Sequence, residues 1–167
     1  MVLNTIFGNR EAEVSDNGYL STATGDNLIQ RAAISGDVIT HGTYFGIFDN
    51  DTTTYGGWKI LGTAAFEYKI IFDFGKRINK ANITAYYSIF SGAGASCTNS
   101  WLSSLDGTTW TTLKTNTISP GETTEYKYNY AEKVPSMRYL KFNTNHPLSG
   151  QERYNGGYIY ELKVTSD

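Results

Sequence analysis

One pattern restricts the fold of this chain more than any other: large apolar side chains recur at every second residue. Phe66, Tyr68, Ile70, Phe72 and Phe74 alternate with Glu67, Lys69, Ile71 and Asp73. Successive side chains of a strand point to opposite faces, so this stretch reads as a strand with one buried face. Gly75-Lys76-Arg77 predicts a turn after it. The alternation resumes at Ile83, Ala85, Tyr87 and Ile89, then at Tyr126, Tyr128 and Tyr130, at Leu140 and Phe142, and at Leu162 and Val164. Asp106-Gly107 lies between strand-like runs and is a strong hairpin signal. Glycine-rich stretches separate other runs: Gly56-Gly57, Ser91 to Ser96, and Asn155-Gly156-Gly157. No long window shows helical periodicity. Many short strands with regular turn signals predict an all-β antiparallel sandwich or jelly roll.

Bulk properties narrow the function. The 167 residues suffice for one domain with a sizeable core. Thirteen Tyr, eight Phe and three Trp favour pleated sheet. The net charge of -2 offers no basic excess to neutralise phosphates, so nucleic acid is not an expected partner. No apolar run approaches the roughly 20 residues that span a bilayer, so membrane insertion is not expected. The single cysteine, Cys97, excludes an internal disulfide and reads as a small residue of a loop or the core. Two glycosylation sequons, at Asn50 and Asn82, carry no weight without a secretory route. The first residues lack the basic region and apolar segment of an ordinary signal peptide. An extracellular location would then be reached by another route, such as virion assembly or excision from a longer protein. Residues 1 to 30 differ from the rest, because Asn9 to Asn27 is polar and short of large apolar residues. They read as an arm or linker, with the domain at residues 31 to 167. Leu28 to Ala33 fits either a helical turn or the first strand.

A second feature is chemical. Phe48-Asp49-Asn50-Asp51-Thr52-Thr53-Thr54 places two carboxylates two residues apart, and Tyr160-Glu161 supplies another far along the chain. A hard cation resolves such repulsion, and calcium takes six to eight oxygen ligands. The same residues are also ordinary turn formers, because their side chains bond nearby backbone groups. The residues alone leave both readings open.

Five segments together resemble the discoidin or coagulation-factor C-type family, which includes the family 32 carbohydrate-binding modules. They are Ile47 to Tyr55, Phe66 to Lys76, Ser104 to Leu113 with its S-x-D-G-x-x-W pattern, Met137 to Phe142, and Tyr158 to Val164 with its I-x-E-L-x-V pattern. They occur in the family's order and span roughly residues 34 to 165. The resemblance implies a galactose-binding-like jelly-roll β-sandwich of two antiparallel sheets. It also implies a structural Ca2+ ion, with side chains of Asp49, Asp51, Thr54 and Glu161 and carbonyls of Phe48 and Tyr160 as ligands. In this fold Trp110 is expected in the core, and Arg138 against a carboxylate or backbone. Tyr126, Tyr128 and Tyr130 are expected on one strand face rather than in a sugar platform.

Ligands of the family bind on loops at one end of the sandwich, where an aromatic face lies under a sugar ring and polar groups meet its hydroxyls. The loop residues that suit this are His41, Tyr44, Trp58, His146, Arg153 and Tyr154, with His146, Arg153 and Tyr154 as the leading set. The expected function is a non-catalytic carbohydrate-binding or adhesion module, displayed on a virion to bind glycans of a host surface. Val14 to Ser21 resembles linker strands of phage tail and capsid-fibre proteins, which implies contacts with other virion proteins through the arm and a homotrimer. The alternative is a structural virion decoration protein that makes mainly protein contacts. Catalysis is not expected: the sequence shows no nucleophile elbow, metalloprotease helix or phosphate loop, and no carboxylate pair set as acid and base.

Overall fold

A computed structural model describes residues 27–37, 39–62, 64–91, 96–118, 126–146 and 153–166; of Arg31, Ser91, Tyr126, Arg153 and Tyr154 it describes the backbone alone. Residues 1–26 of the expected arm lie outside the described residues. The chain enters through a short 3-10 turn, Leu28–Arg31, capped by the Asn27 side chain. Eight strands follow: β1 (Ala33–Gly36), β2 (His41–Gly42), β3 (Gly56–Gly62), β4 (Phe66–Ser91), β5 (Cys97–Ser104), β6 (Thr111–Ile118), β7 (Tyr126–His146) and β8 (Arg153–Ser166). Leu28 and Ile29 are buried in the core, so the packed domain begins a few residues before the expected boundary at 31. Asn27 fixes this start: its Nδ2 donates to the Leu162 carbonyl at 2.7 Å, and its Oδ1 accepts from the Val164 N–H at 2.9 Å.

All pairings are antiparallel, in the order β2-β3-β8-β4-β7-β5-β6, with β1 on β4. The sandwich has its two layers, but they are joined. The runs at Phe66–Phe74 and Ile83–Ile89 belong to one strand of 26 residues, and β7 is likewise continuous. The first half of β4 lies between β1 and the second half of β7, and the second half lies between β8 and the first half of β7. Both long strands therefore pass from one layer into the other.

The fold-over has a local cause. The register shifts between Asp73 and Ile78, Gly75 has φ of 73°, and Lys80 has φ of 48°. Pro135 stands opposite Lys80 and has no N–H to give to the ladder. A fork clamps the bend: Arg138 Nε and Nη2 donate to the two Asp73 carboxylate oxygens at 2.9 and 3.1 Å, and Asp73 Oδ1 also accepts from the Gly75 N–H at 2.8 Å. The Arg138 hydrogen bonds hold the Asp73 carboxyl below the usual carboxylate range. Arg138 thus pairs with a carboxylate, as expected.

The layers meet through rings. Trp58 of β3 stacks on Tyr68 of β4 at 5.3 Å, and Phe142 of β7 lies 5.6 Å from Trp58, 5.5 Å from Tyr87 and 4.7 Å from Trp101. Tyr130 stacks on Trp101 at 6.1 Å and Tyr128 on Tyr87 at 5.4 Å, so these tyrosines form a core strand face as expected. Truncating a buried ring of this kind costs about 3–5 kcal/mol. Trp110 differs from expectation. It is half-buried, edge-on to Tyr139 at 6.4 Å, with Lys141 Nζ 4.1 Å above its ring. The turn before it explains this: Asp106 Oδ1 accepts from the N–H groups of Thr108 and Thr109 at 2.8 and 2.7 Å, and Gly107 takes φ of 76°. The chain leaves that turn with Trp110 on the side of Lys141, a half-buried residue between the buried Leu140 and Phe142.

Candidate functional site

The outer face of the second layer carries an aromatic surface, and a glycine makes it possible. His41 pairs with Gly57, and Gly57 pairs with Tyr158, so the three form one row across β2, β3 and β8. Directly opposed residues share a face. A Cβ on Gly57 would come within 2.1 Å of the Gly157 carbonyl oxygen and 2.9 Å of Tyr158 Cα and Cδ1, so only glycine lets β8 and the Tyr158 ring approach this closely. Tyr158 then lies edge-on to the exposed His41 at 6.5 Å. Tyr55 packs on Tyr158 at 4.5 Å. The 3-10 turn Phe45–Ile47 adds to the same edge. Its Ile47 is fully buried and anchors it, the Gly46 N–H is capped by Thr43 Oγ1 at 3.0 Å, and Phe45 is left 55% exposed. Tyr44 is 37% exposed, and its hydroxyl reaches the Asp37 carbonyl at 3.5 Å.

A bulge in β8 extends this surface. Tyr86 pairs with Glu161, but Tyr87 pairs with Ile159, so Tyr160 has no opposite residue on β4. Ile159 and Leu162 both face the core; of the two residues between them Glu161 is half-buried and Tyr160, 7% exposed, is covered by its neighbours outside that core. Tyr160 packs against Tyr55 at 5.7 Å and Tyr86 at 5.1 Å. Glu161 reaches the acidic loop, where Oε2 accepts from the Asn50 N–H at 2.8 Å.

The loop itself is an oxygen-rich knot. Thr54 Oγ1 donates to Asp49 Oδ2 at 2.6 Å and lies 2.9 Å from the Asp51 carbonyl. Asn50 takes φ of 64°, the left-handed conformation that asparagine tolerates. Asp51 turns its carboxylate to Thr53, accepting from its N–H at 2.8 Å and its hydroxyl at 2.7 Å. That hydroxyl holds the Asp51 carboxyl below its usual range. Burial, reinforced by the charge of Asp49, raises that of Glu161. Among the described residues no three His, Cys, Asp or Glu form a metal-binding group. The donors that do converge are the Asp49 and Glu161 carboxylates, the Thr54 hydroxyl and the Asp51 carbonyl. This oxygen-only set with two carboxylates fits a hard cation, whereas the Asp51 side chain is engaged elsewhere. The side chain of Phe48 packs on Phe45 and that of Tyr160 on the outer rings, which leaves only their carbonyls for such a role.

Two expected ligand residues belong to the core instead. Trp58 is 1% exposed between the layers. His146 is also 1% exposed, because β7 runs on to it and it follows Phe142 and Thr144 on the inward face. It stacks on Phe66 at 4.4 Å, and its Nε2 lies 3.4 Å from the buried Cys97 Sγ. Arg153 and Tyr154 lie in β8 opposite Gly62 and Leu61, with their side chains outside the described residues. Of the six, His41 and Tyr44 are exposed, the first in β2 and the second just after it. Phe45 and Tyr158 were not among the expected residues; the signal for Tyr158 was its place in an alternating strand whose opposite residue is a glycine.

No family model matches the chain, and no curated protein matches it. Solved structures share its shape. The Clostridium perfringens module CpGH89CBM32-6 is 20% identical, with a TM-score of 0.49 over 85% of this chain and 100% of that one. The CBM32 of AlyQ, in complex with 4,5-unsaturated mannuronic acid, is 16% identical, with a TM-score of 0.45 over 81% of this chain and 95% of that one. Chitosan-binding module 1 from a chitosanase/glucanase of Paenibacillus sp. IK-5 is 19% identical, with a TM-score of 0.43 over 84% and 99%. The fold assignment rests on the strand register itself.

His146 makes the interior sensitive to acid. Burial pushes its imidazole down to about 4. An unfolded histidine titrates near 6.5, so the unfolded chain takes up the extra proton first as pH falls. The stability from a neutral His146 is complete above about pH 6.5 and is lost towards pH 4, by as much as about 3 kcal/mol. Urea denaturation across this window will show a steeper loss for the wild type than for His146→Leu; parallel curves would contradict the burial.

Proposed function

We propose that this chain is a non-catalytic carbohydrate-binding module that reads sugars on the outer edge formed by β2, β3 and the Phe45–Ile47 turn. One observation carries the proposal: the exposed His41 lies edge-on to Tyr158, which packs on Tyr55, and Tyr44 and Phe45 stand exposed in the segment just after β2. Single exposed apolar residues need no explanation, but a contiguous patch marks a contact surface. A pyranose presents C–H bonds on one face and hydroxyls around its rim. Rings suit the first, and the Asp37 carbonyl and the imidazole of His41 suit the second. The order of family-like motifs in the sequence and the carbohydrate-binding modules among the structures of similar shape agree with this reading. The remaining sequence expectations, display on a virion and trimerisation through the arm at residues 1 to 30, rest on the sequence alone and extend the proposal to a host-surface glycan as the target.

The test is a glycan array followed by titration. His41→Ala and Tyr44→Ala should each weaken the best glycan by about ten-fold, roughly 1.4 kcal/mol, without lowering the melting temperature. Full affinity in both variants would remove this edge from the site.

We propose further that the acidic loop holds a structural Ca2+ through Asp49, Thr54, Glu161 and the Asp51 carbonyl. When bound, the ion would offset the repulsion between Asp49 and Glu161 and tie β8 to the loop before β3. An excess of chelator should lower the melting temperature, and added Ca2+ should restore it. An identical melting curve in chelator and in calcium would leave the loop as turn chemistry alone.

A further inference from the structure

The aromatic surface does not stop at the His41 edge. From His41 the rings run inward as Tyr158, Tyr55, Tyr160 and Tyr86, with consecutive centroids 6.5, 4.5, 5.7 and 5.1 Å apart. Lys127 Nζ lies 4.7 Å over the Tyr160 ring and 5.9 Å over that of Tyr86, so Tyr160, 7% exposed, supports the stripe from beneath while the half-buried Tyr158, Tyr55 and Tyr86 reach its surface. This stripe crosses from β2 to β4, three strand spacings or about 14 Å.

It ends at a recess. A cavity of about 390 Å³ is lined by Thr52, Thr84, Tyr86, Asn129, Ala131 and Glu161, among others. Thr84 pairs with Ala131, and Tyr86 with both Asn129 and Glu161, so these side chains share the outer face. Thr52 enters from the acidic loop. Thr52, Thr84, Asn129 and Ala131 are exposed, and Tyr86 and Glu161 are half-buried. Ligand sites run from about 300 to 1,000 Å³, which puts this recess at the small end, the size for one sugar unit. Its chemistry matches: the ring and hydroxyl of Tyr86, the hydroxyls of Thr52 and Thr84, the Asn129 carboxamide and the Glu161 carboxylate.

We infer that this recess is a second sugar subsite, and that the ligand is a hydroxyl-rich oligosaccharide running along the stripe from His41 to Tyr86. The inference rests on the proposed carbohydrate-binding reading and adds its substrate class: a chain rather than a single terminal sugar. At the recess wall Glu161 offers sugar hydroxyls an acceptor. Asn129 offers both a donor and an acceptor.

Calorimetric titration of the full chain with manno-, cello- and N-acetylglucosamine oligomers, from monosaccharide to hexasaccharide, separates the two claims. For the oligomer series that binds, affinity should rise by about ten-fold or more from disaccharide to hexasaccharide. Ala131→Trp fills the recess from an exposed strand position. It should return the hexasaccharide to disaccharide affinity and leave the disaccharide unchanged. Asn129→Ala, a milder change, should weaken the hexasaccharide several-fold. His41→Ala should weaken every length. Affinity independent of length, or hexasaccharide binding unaltered in both recess variants, would overturn the second subsite while the edge site stands. No binding of any oligomer, or of any glycan on an array, would overturn both.

Discussion

Phe142 packs against Trp58, Tyr87 and Trp101, and the rest of the structure depends on that contact. These rings belong to β7, β3, β4 and β5, so one cluster ties the two layers together. It can form only because β4 and β7 cross from layer to layer. Each long strand places Tyr87 or Phe142 in the interior while pairing with the other on both sides of the bend. The bend clamped by Asp73 and Arg138 is what allows a single ladder to serve both layers. An exposed ion pair adds little by itself, but here it fixes the geometry that the ring packing needs.

The same construction gathers strand ends. Gly62, Phe66, Ser91, Cys97, Ile118, Tyr126, His146 and Arg153 all lie at the end of the sandwich opposite the bend, as their pairings require. That end carries buried polar groups on the inward face: Cys97, Asn99, Thr144 and His146. The outer face of the second layer is the reverse, with rings where a solvated sheet commonly carries polar residues. A glycine at position 57 and a bulge at Tyr160 create it. The first makes room for Tyr158, and the second turns Tyr160 and Glu161 away from the core together. Stability and recognition thus draw on opposite faces of the same strands.

Much of this was legible in the sequence, and the failures share a cause. Period-two alternation located the strands, and Asp106-Gly107 located a hairpin, because both are local effects. The shared strand face of Tyr128 and Tyr130 follows from the same logic, whereas the pairing of Arg138 with a carboxylate follows from the family resemblance. Alternation says that two faces differ, yet it does not say which is inward when both carry rings. Trp110, expected in the core from the family resemblance, is half-buried beneath Lys141. His146 and Trp58 were assigned to loops because polar or glycine-rich residues flank them, whereas their strands continue through those positions. The continuity of β4 through Gly75 was hidden for the same reason: a glycine that bends a strand looks like one that ends it. The aromatic stripe needed the register, since no spacing in the sequence brings Tyr55, Tyr86 and Tyr158 together.

The account's central claim is that the outer face of the second layer, and not the end of the sandwich where the strand termini gather, contacts sugar. Backbone amide chemical shifts of the isotopically labelled chain, followed while a bound oligosaccharide is titrated in, test it most directly. The account predicts that the shifts concentrate at His41, Tyr55, Tyr86, Asn129, Tyr158 and Glu161. Shifts confined to the strand ends around Ser91, Cys97 and His146, with the outer face unchanged, would contradict it.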